Sequence, residues 1–369
     1  MLDELETVEE LLGCLNRQRD VEFSLWVCVN QPEEWHQSAN QWERKAVDAN
    51  EATLSLLRKV DGINLIDRSS VGCGWVGKQR GVGWARKTLF DQIASCYDED
   101  ELIVSLDADT LFASDYLANI LDAMNRHSDS SAIAVPYWHI LSGEEPIDRR
   151  MLRYECYMRH YMLNMLAIES PYAFTALGSA IVFPLWAYKK VRGITPLQGG
   201  EDFYLMQKFA KTGRVELLGG LVQPQGRSSQ RVPFGTGPAV SLSMEEQAVR
   251  YPFYSAEAFA NVYKTCQMFE MLYERDVDTP LTQFLQQQIK TSDIWEPLRS
   301  NYRSRDKFVR ACNERLDGLR ILQYLKTQPI EQDPIDFASA PFQSLLDLRQ
   351  AMYDREMELR RKTGSVGLG

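Results

Sequence analysis

Residues 101–110 read ELIVSLDADT: five near-continuous apolar residues, Leu102 to Leu106, run straight into Asp107-Ala108-Asp109. The run is too short and too uniformly apolar for an amphipathic helix. It reads as a central strand of a parallel sheet covered on both faces. In open α/β sheets, ligands bind beyond the carboxyl ends of the strands, so the two carboxylates point toward a site rather than into the core. Two hard oxygen donors separated by one residue suit Mg²⁺ or Mn²⁺, which is held by one or two carboxylates with substrate phosphates completing its shell. A metal-bridged diphosphate follows as the expectation, against the plainer reading of Asp109 as a turn residue ahead of a helix over 114–125.

Working upstream, Leu5, Val8, Leu11, Leu12 and Leu15 stand at helical spacing. Residues 23–29 (FSLWVCV) predict the first strand, 40–59 a polar helix, and 63–66 a short strand ending at Asp67. Residues 70–83 are dense in glycine. Gly72, Gly74 and Gly77 satisfy Gly-x-Gly-x-x-Gly, and Gly72, Gly77 and Lys78 nearly make a phosphate loop. Both readings fail. Gln79 stands where a phosphate loop needs a hydroxyl on Mg²⁺, and Gly81 and Gly83 delay the helix that a dinucleotide fingerprint opens directly. A loop carrying Lys78, Arg80, Arg86 and Lys87 that embraces an anion, or a solvated loop, remain the two readings.

Downstream, residues 132–135 predict another strand, and the Tyr- and Met-rich stretch over 149–166 a helix that is core rather than an acceptor face. GSAIVF at 178–183 is a further strand, and GGED at 199–202 opens a helix with acids where the helix dipole favours them. One acid serves as a cap; the second is left to act as a general base. Residues 223–237 (QPQGRSSQRVPFGTG), with Arg227 and Arg231, read as a linker or a mobile substrate lid. Several helices follow over 243–362, a cap or docking region whose basic end, 355–362, reads as a solvated face.

The 44% apolar, 25% charged composition is that of an ordinary globular protein, and no apolar run is long enough for a membrane span. The acidic first helix does not fit a signal peptide, so a cytoplasmic location is the expectation, with peripheral membrane association left open. A formal charge of −10 argues against nucleic-acid binding. The seven cysteines, an odd number with no Cys-x-x-Cys pair, read as buried thiols.

Taken in order, GVGWARK at 81–87, LDADT at 106–110 and GSAIVFPLWAYKKVRGI…GGEDFYLMQKFAKTG at 178–213 resemble the family-two glycosyltransferases of the GT-A fold. The likeness covers roughly residues 1–225. It implies a mostly parallel α/β sheet with helices on both faces as the catalytic domain (1–225), a loop or linker (226–242) and a helical C-terminal region (243–369). It implies a cation on the diphosphate of a UDP- or GDP-sugar held by Asp107 and Asp109, Asp202 as the base of inverting transfer with Glu201 as its alternate, and Arg86 on the diphosphate. Glu4, Asp67, Arg227 and Arg231 are the remaining expected donor contacts. The acceptor is a glycan, lipid or small molecule.

The family's usual first strand has no counterpart here, since the sequence opens Met1-Leu2-Asp3-Glu4 as if at the end of that strand's loop; the expectation is a start codon upstream. Asn30 stands where the family carries an acid after the next strand, and all four histidines precede the Glu-Asp pair, leaving a third metal ligand unassigned. Two other classes share parts of the pattern. A HAD-type phosphatase would use Asp107 as nucleophile, but its motif belongs on the first strand of its domain. A GT-A-like protein that binds nucleotide-sugar without turnover is the other.

Overall fold

The computed structural model describes residues 1–227 and 235–368. Helices and short strands alternate through the first two thirds: α1 (Leu5–Asn16), β1 (Trp26–Asn30), α2 (Gln41–Leu57), β2 (Asn64–Arg68), α3 (Val82–Cys96), β3 (Leu102–Ser105), β4 (Thr110–Phe112), α4 (Tyr116–Arg126), β5 (Ala132–Ala134), α5 (Glu145–Ala167), β6 (Ile181–Pro184), α6 (Leu185–Lys190), α7 (Glu201–Thr212), β7 (Arg214–Glu216) and β8 (Val222–Pro224). Short helices occupy much of the chain from 236 to 325, before the C-terminal helix Phe342–Thr363 and the last strand Ser365–Gly367.

Local sequence explains most of these elements. α1 buries Val8, Leu11 and Leu15 along one stripe. α2 starts at Asn40, whose side chain accepts the Trp42 N–H at 2.9 Å. Gly81 (φ 94°) turns the chain into α3 in a conformation that side chains rarely adopt, and Gly83 lies so close to Leu197 that a Cβ would fall 2.2 Å from its carbonyl oxygen. α5 is longer than its weak periodicity suggests because Pro146 sits in its first turn and the Met-rich face is core: Met151, Met158, Met162 and Met165 are all buried.

The protein is a mixed α/β structure with small mixed sheets. β1 and β2 pair in parallel. A five-stranded sheet runs last strand, β7, β5, β6, β3; in it β5 and β7 are parallel, while β3 and β5 both pair antiparallel with β6. β3 therefore differs from the central parallel strand expected of LIVSL: among the described residues its strand partner is β6, and it lies at the edge of its sheet. Its faces are nonetheless covered, with Ile103 in one apolar cluster beside α3 and Leu102 and Val104 in another beside α1 and α4.

The C-terminal region is built into this core. The last strand adds to β7, and residues of the helices around Phe259, Leu285 and Phe308 belong to the same apolar cluster as Phe183 and Phe209. The basic stretch expected as a solvated face is exposed at Arg355, Arg361 and Lys362, but Arg360 is fully buried, donating to the carbonyls of Ala134 and Leu217 at 2.8 Å each and to Glu356. Strand-end carbonyls turned toward a helix need donors there, and a guanidinium provides several. All seven cysteines are free; Cys14, Cys28, Cys156 and Cys312 are buried as expected, while Cys73 and Cys266 are half-buried and Cys96 is exposed.

Among the described residues, no helix is long and apolar enough to cross a membrane.

Candidate functional site

Beyond Ser105 the chain leaves β3 and turns. The Thr110 N–H donates to the Asp107 carbonyl at 3.2 Å, and Ala108 packs inward, so Asp107 and Asp109 flank a buried methyl group. β4 then pairs antiparallel with β8, which brings the Gln225 N–H to the Asp109 carbonyl at 3.0 Å and carries Arg227 alongside. The Arg227 guanidinium is 3.3 Å from the Asp109 carboxylate and also pairs with Glu4. Burial weakens its charge, but those two carboxylates outweigh burial and raise its pKa.

The second half of the site comes from α3 and α7. Gly200 (φ 77°) opens α7, placing Glu201 and Asp202 in its first turn. Glu201 is buried and paired with Arg86, whose other nitrogen lies 2.5 Å from Asp107. One guanidinium thus ties the strand-end acid to the helix-start acid. Burial acts against the Arg86 charge, yet Asp107 and Glu201 hold it above its usual range. Asp202, half-buried, takes the Phe203 N–H at 2.8 Å. Burial first, and the neighbouring charge of Glu201 second, push its pKa up from the ordinary carboxylate value to about 7.

Asp107, Asp109, Glu4, Arg86, Arg227 and the Glu201–Asp202 pair line one cavity of about 1210 Å³. Asp67, a further expected contact, is not brought to it. Its carboxylate accepts from the backbone N–H groups of Ser69 and Ser70 and closes its own turn. Arg231 lies outside the described residues. In the glycine-dense loop, the Gly72 and Gly74 N–H groups both donate to the Glu33 carboxylate at 2.8 Å, and Arg80 pairs with Glu34, so that loop is tied to residues 33–34. The histidines also lie away from the cavity lining.

Among the described residues, no three His, Cys, Asp or Glu side chains gather into a ready metal site. Asp107 and Asp109 do fit the protein's share of a Mg²⁺ or Mn²⁺ shell: two hard carboxylates on one cavity, with the remaining oxygens left to phosphate and water.

Gly178 is a site residue that pattern reading passed over as the start of a strand. Its carbonyl accepts the Ser105 hydroxyl at 2.6 Å, and a Cβ built on it would lie 1.9 Å from a guanidinium nitrogen of Arg86. Gly178→Ala should therefore displace Arg86 from Asp107 and Glu201. Overpacking alone costs about 1–3 kcal/mol, and the lost pairing of a buried acid adds to it; urea unfolding measures the sum. An unchanged midpoint would show that Arg86 has another rotamer that keeps both pairs.

No family model matches this chain, and no curated protein matches it either.

Proposed function

We propose that this protein transfers a glycosyl group from a nucleoside-diphosphate sugar to an acceptor hydroxyl, with inversion. The observation that supports this reading is the gathering of Asp107, Asp109 and Asp202 on one cavity, with Arg86 bridging the two segments that carry them. Asp107 and Asp109 would hold Mg²⁺ or Mn²⁺, which when bound stabilises negative charge on the departing diphosphate.

The chain's own residues do the rest. Asp202, with a pKa near neutrality, takes the proton of the acceptor hydroxyl. The acceptor oxygen forms its bond to the anomeric carbon as the carbon–oxygen bond to the diphosphate breaks, and the electron pair leaves on the diphosphate. Glu201 is not placed for the proton transfer, because it is buried against Arg86. Its charge instead keeps the Asp202 proton affinity high. Arg227, now on Asp109 and Glu4, can turn to a bound diphosphate, since a guanidinium recognises phosphate as well as carboxylate.

Asp109→Ala tests the metal role. Nucleoside-diphosphate affinity with Mn²⁺ present should fall by at least about 10–100-fold, the range that weakened metal sites show, while Mn²⁺-free affinity changes little. Calorimetry with and without the cation makes the comparison. Equal losses in both conditions would sink the metal assignment and leave Asp109 as a partner of Arg227.

A further inference from the structure

Tyr154 carries a hydroxyl that the fold leaves without a partner. It lies on α5, and its side chain lines the cavity of the carboxylate cluster while being only 7% exposed. The ring belongs to the core: it stacks on Tyr157 with centroids 6.2 Å apart and meets Tyr251 edge-on at 4.9 Å. The hydroxyl makes no hydrogen bond to any described residue, yet it is not shut away from the cavity. Buried tyrosine hydroxyls ordinarily find a partner, so one left open toward a cavity is placed for a ligand. Burial above all, with the neighbouring Tyr251, Tyr137 and Asp202 charges, raises its pKa, so it stays protonated and able to donate.

A second hydroxyl reaches the same cavity from the short helix Thr236–Ser241. That helix is fixed on α5. Ala239 and Val240 share an apolar cluster with Met151 and Tyr154, and the Gln247 side chain donates to the carbonyls of Arg150 and Ala239 at 3.1 and 2.8 Å. Thr236 is oriented from behind. The Glu155 carboxylate can only accept, so His139 Nδ1, 3.0 Å away, carries the ring proton. In the neutral ring Nε2 then accepts the Thr236 hydroxyl proton at 3.3 Å. The Thr236 lone pairs are left for a donor in the cavity, so this wall offers one O–H that donates and one oxygen that accepts.

Charge narrows the ligand further. Among the described residues the cations on the cavity wall are Arg86, Arg227 and the Met1 ammonium. Asp107 and Glu201 hold the first, Glu4 and Asp109 the second, and the Cys28 carbonyl the third. An anionic acceptor would meet Asp202 and Glu201 with no cation left for it. A simple alcohol would leave Tyr154 and Thr236 unpaired. The volume, about 1210 Å³ against roughly 300–1,000 Å³ for a single-ligand pocket, leaves room for a sugar-sized acceptor beside the donor. We infer that Tyr154 and Thr236 bind the acceptor and that it is an uncharged polyol: one hydroxyl goes to Asp202, while another accepts from Tyr154 and donates to Thr236. This deepens the glycosyl-transfer reading and rests on it only for the fate of the first hydroxyl.

Saturation-transfer NMR on the full chain, with UDP and Mg²⁺ present, reads binding without turnover. Methyl α-D-glucopyranoside and glycerol are the polyol probes, cyclohexanol the single-hydroxyl control and glucose 6-phosphate the charged one. At least one polyol should bind the parent, and both controls should bind more weakly. Tyr154→Phe and Thr236→Val should each weaken polyol binding by about 2–10-fold, the worth of one neutral hydrogen bond, with UDP affinity unchanged. Thr236→Ser should keep the parent affinity, and Tyr154→Phe the parent Tm, because the O–H it removes has no partner. The proposal is overturned by no polyol binding to the parent, by parent affinity in either Tyr154→Phe or Thr236→Val, or by tighter binding of either control. A lower Tm in Tyr154→Phe also overturns it, since the hydroxyl would then have a partner inside the protein. Should the binding differences hold while no nucleoside-diphosphate sugar is turned over, the transfer reading fails and the polyol site stands.

Discussion

Asp202→Asn should reduce turnover by roughly 10²–10⁴-fold while leaving Mn²⁺-dependent nucleotide affinity close to that of the parent. Asn keeps the size of the side chain and can still accept the Phe203 N–H that Asp202 now accepts at 2.8 Å, but it cannot take a proton. The pH dependence separates a base from a cap. Asp202 is raised to about 7, so parent activity should climb through neutrality as the carboxylate ionises. Stability moves the other way. A carboxyl whose folded pKa is raised contributes stability that is present below the unfolded value, 3.8, and is lost as pH rises through about 7. The Asn variant should therefore lose less stability than the parent between pH 4 and 8. Glu201→Gln gives an independent reading: without that neighbouring charge the Asp202 pKa falls, and the rising limb of the rate profile shifts to lower pH. If Asp202→Asn turns over at the parent rate, the proton acceptor lies elsewhere or the transfer retains configuration.

The largest effect on stability should come from Glu155→Ala. Glu155 is fully buried on α5, and its carboxylate accepts from His139 Nδ1 at 3.0 Å, Arg159 at 2.7 Å and Arg349 at 2.9 Å. Arg349 comes from the C-terminal helix and Arg159 also pairs with Glu356 there, so this carboxylate joins that helix to α5. Removing it takes the carboxylate partner from buried Arg349 and leaves buried Arg159 with Glu356 alone, a loss of about 3–5 kcal/mol. Burial by itself would raise the Glu155 pKa, but the His139 hydrogen bond and the arginine charges hold it well below the ordinary range. A depressed carboxylate contributes stability that is present above its unfolded value, 4.5, and lost as pH falls through the folded value. Parent stability should thus drop on acidification below about pH 4.5, with a smaller drop in the variant. Urea titrations at pH 7 and pH 3.5 measure both. A loss under about 1 kcal/mol at pH 7 would mean that water or Glu356 satisfies the arginines in its place.

The sequence by itself determined what depends on neighbours along the chain. LIVSL ending in Asp107-Ala-Asp109, the glycine-marked start of α7 with its two acids, and the apolar stripe of α1 were legible because strand and helix periodicities, turn chemistry and the helix dipole act over a few residues. Which strand β3 would pair with was not legible, since ladder hydrogen bonds use backbone groups common to every residue. Nor were the pairings of Arg86 with Glu201, 115 positions away, or of Arg227 with Glu4, 223 positions away. Arg360 and Glu356 look in sequence like any solvated i,i+4 pair and are buried only because the C-terminal helix lies along α5 and meets the open carbonyls of Ala134 and Leu217. Tertiary structure alone decided which carboxylates share a cavity, which of them arginine neutralises, and that Asp202 is left with a raised pKa, because charge and desolvation act through space and the chain order carries no record of those distances.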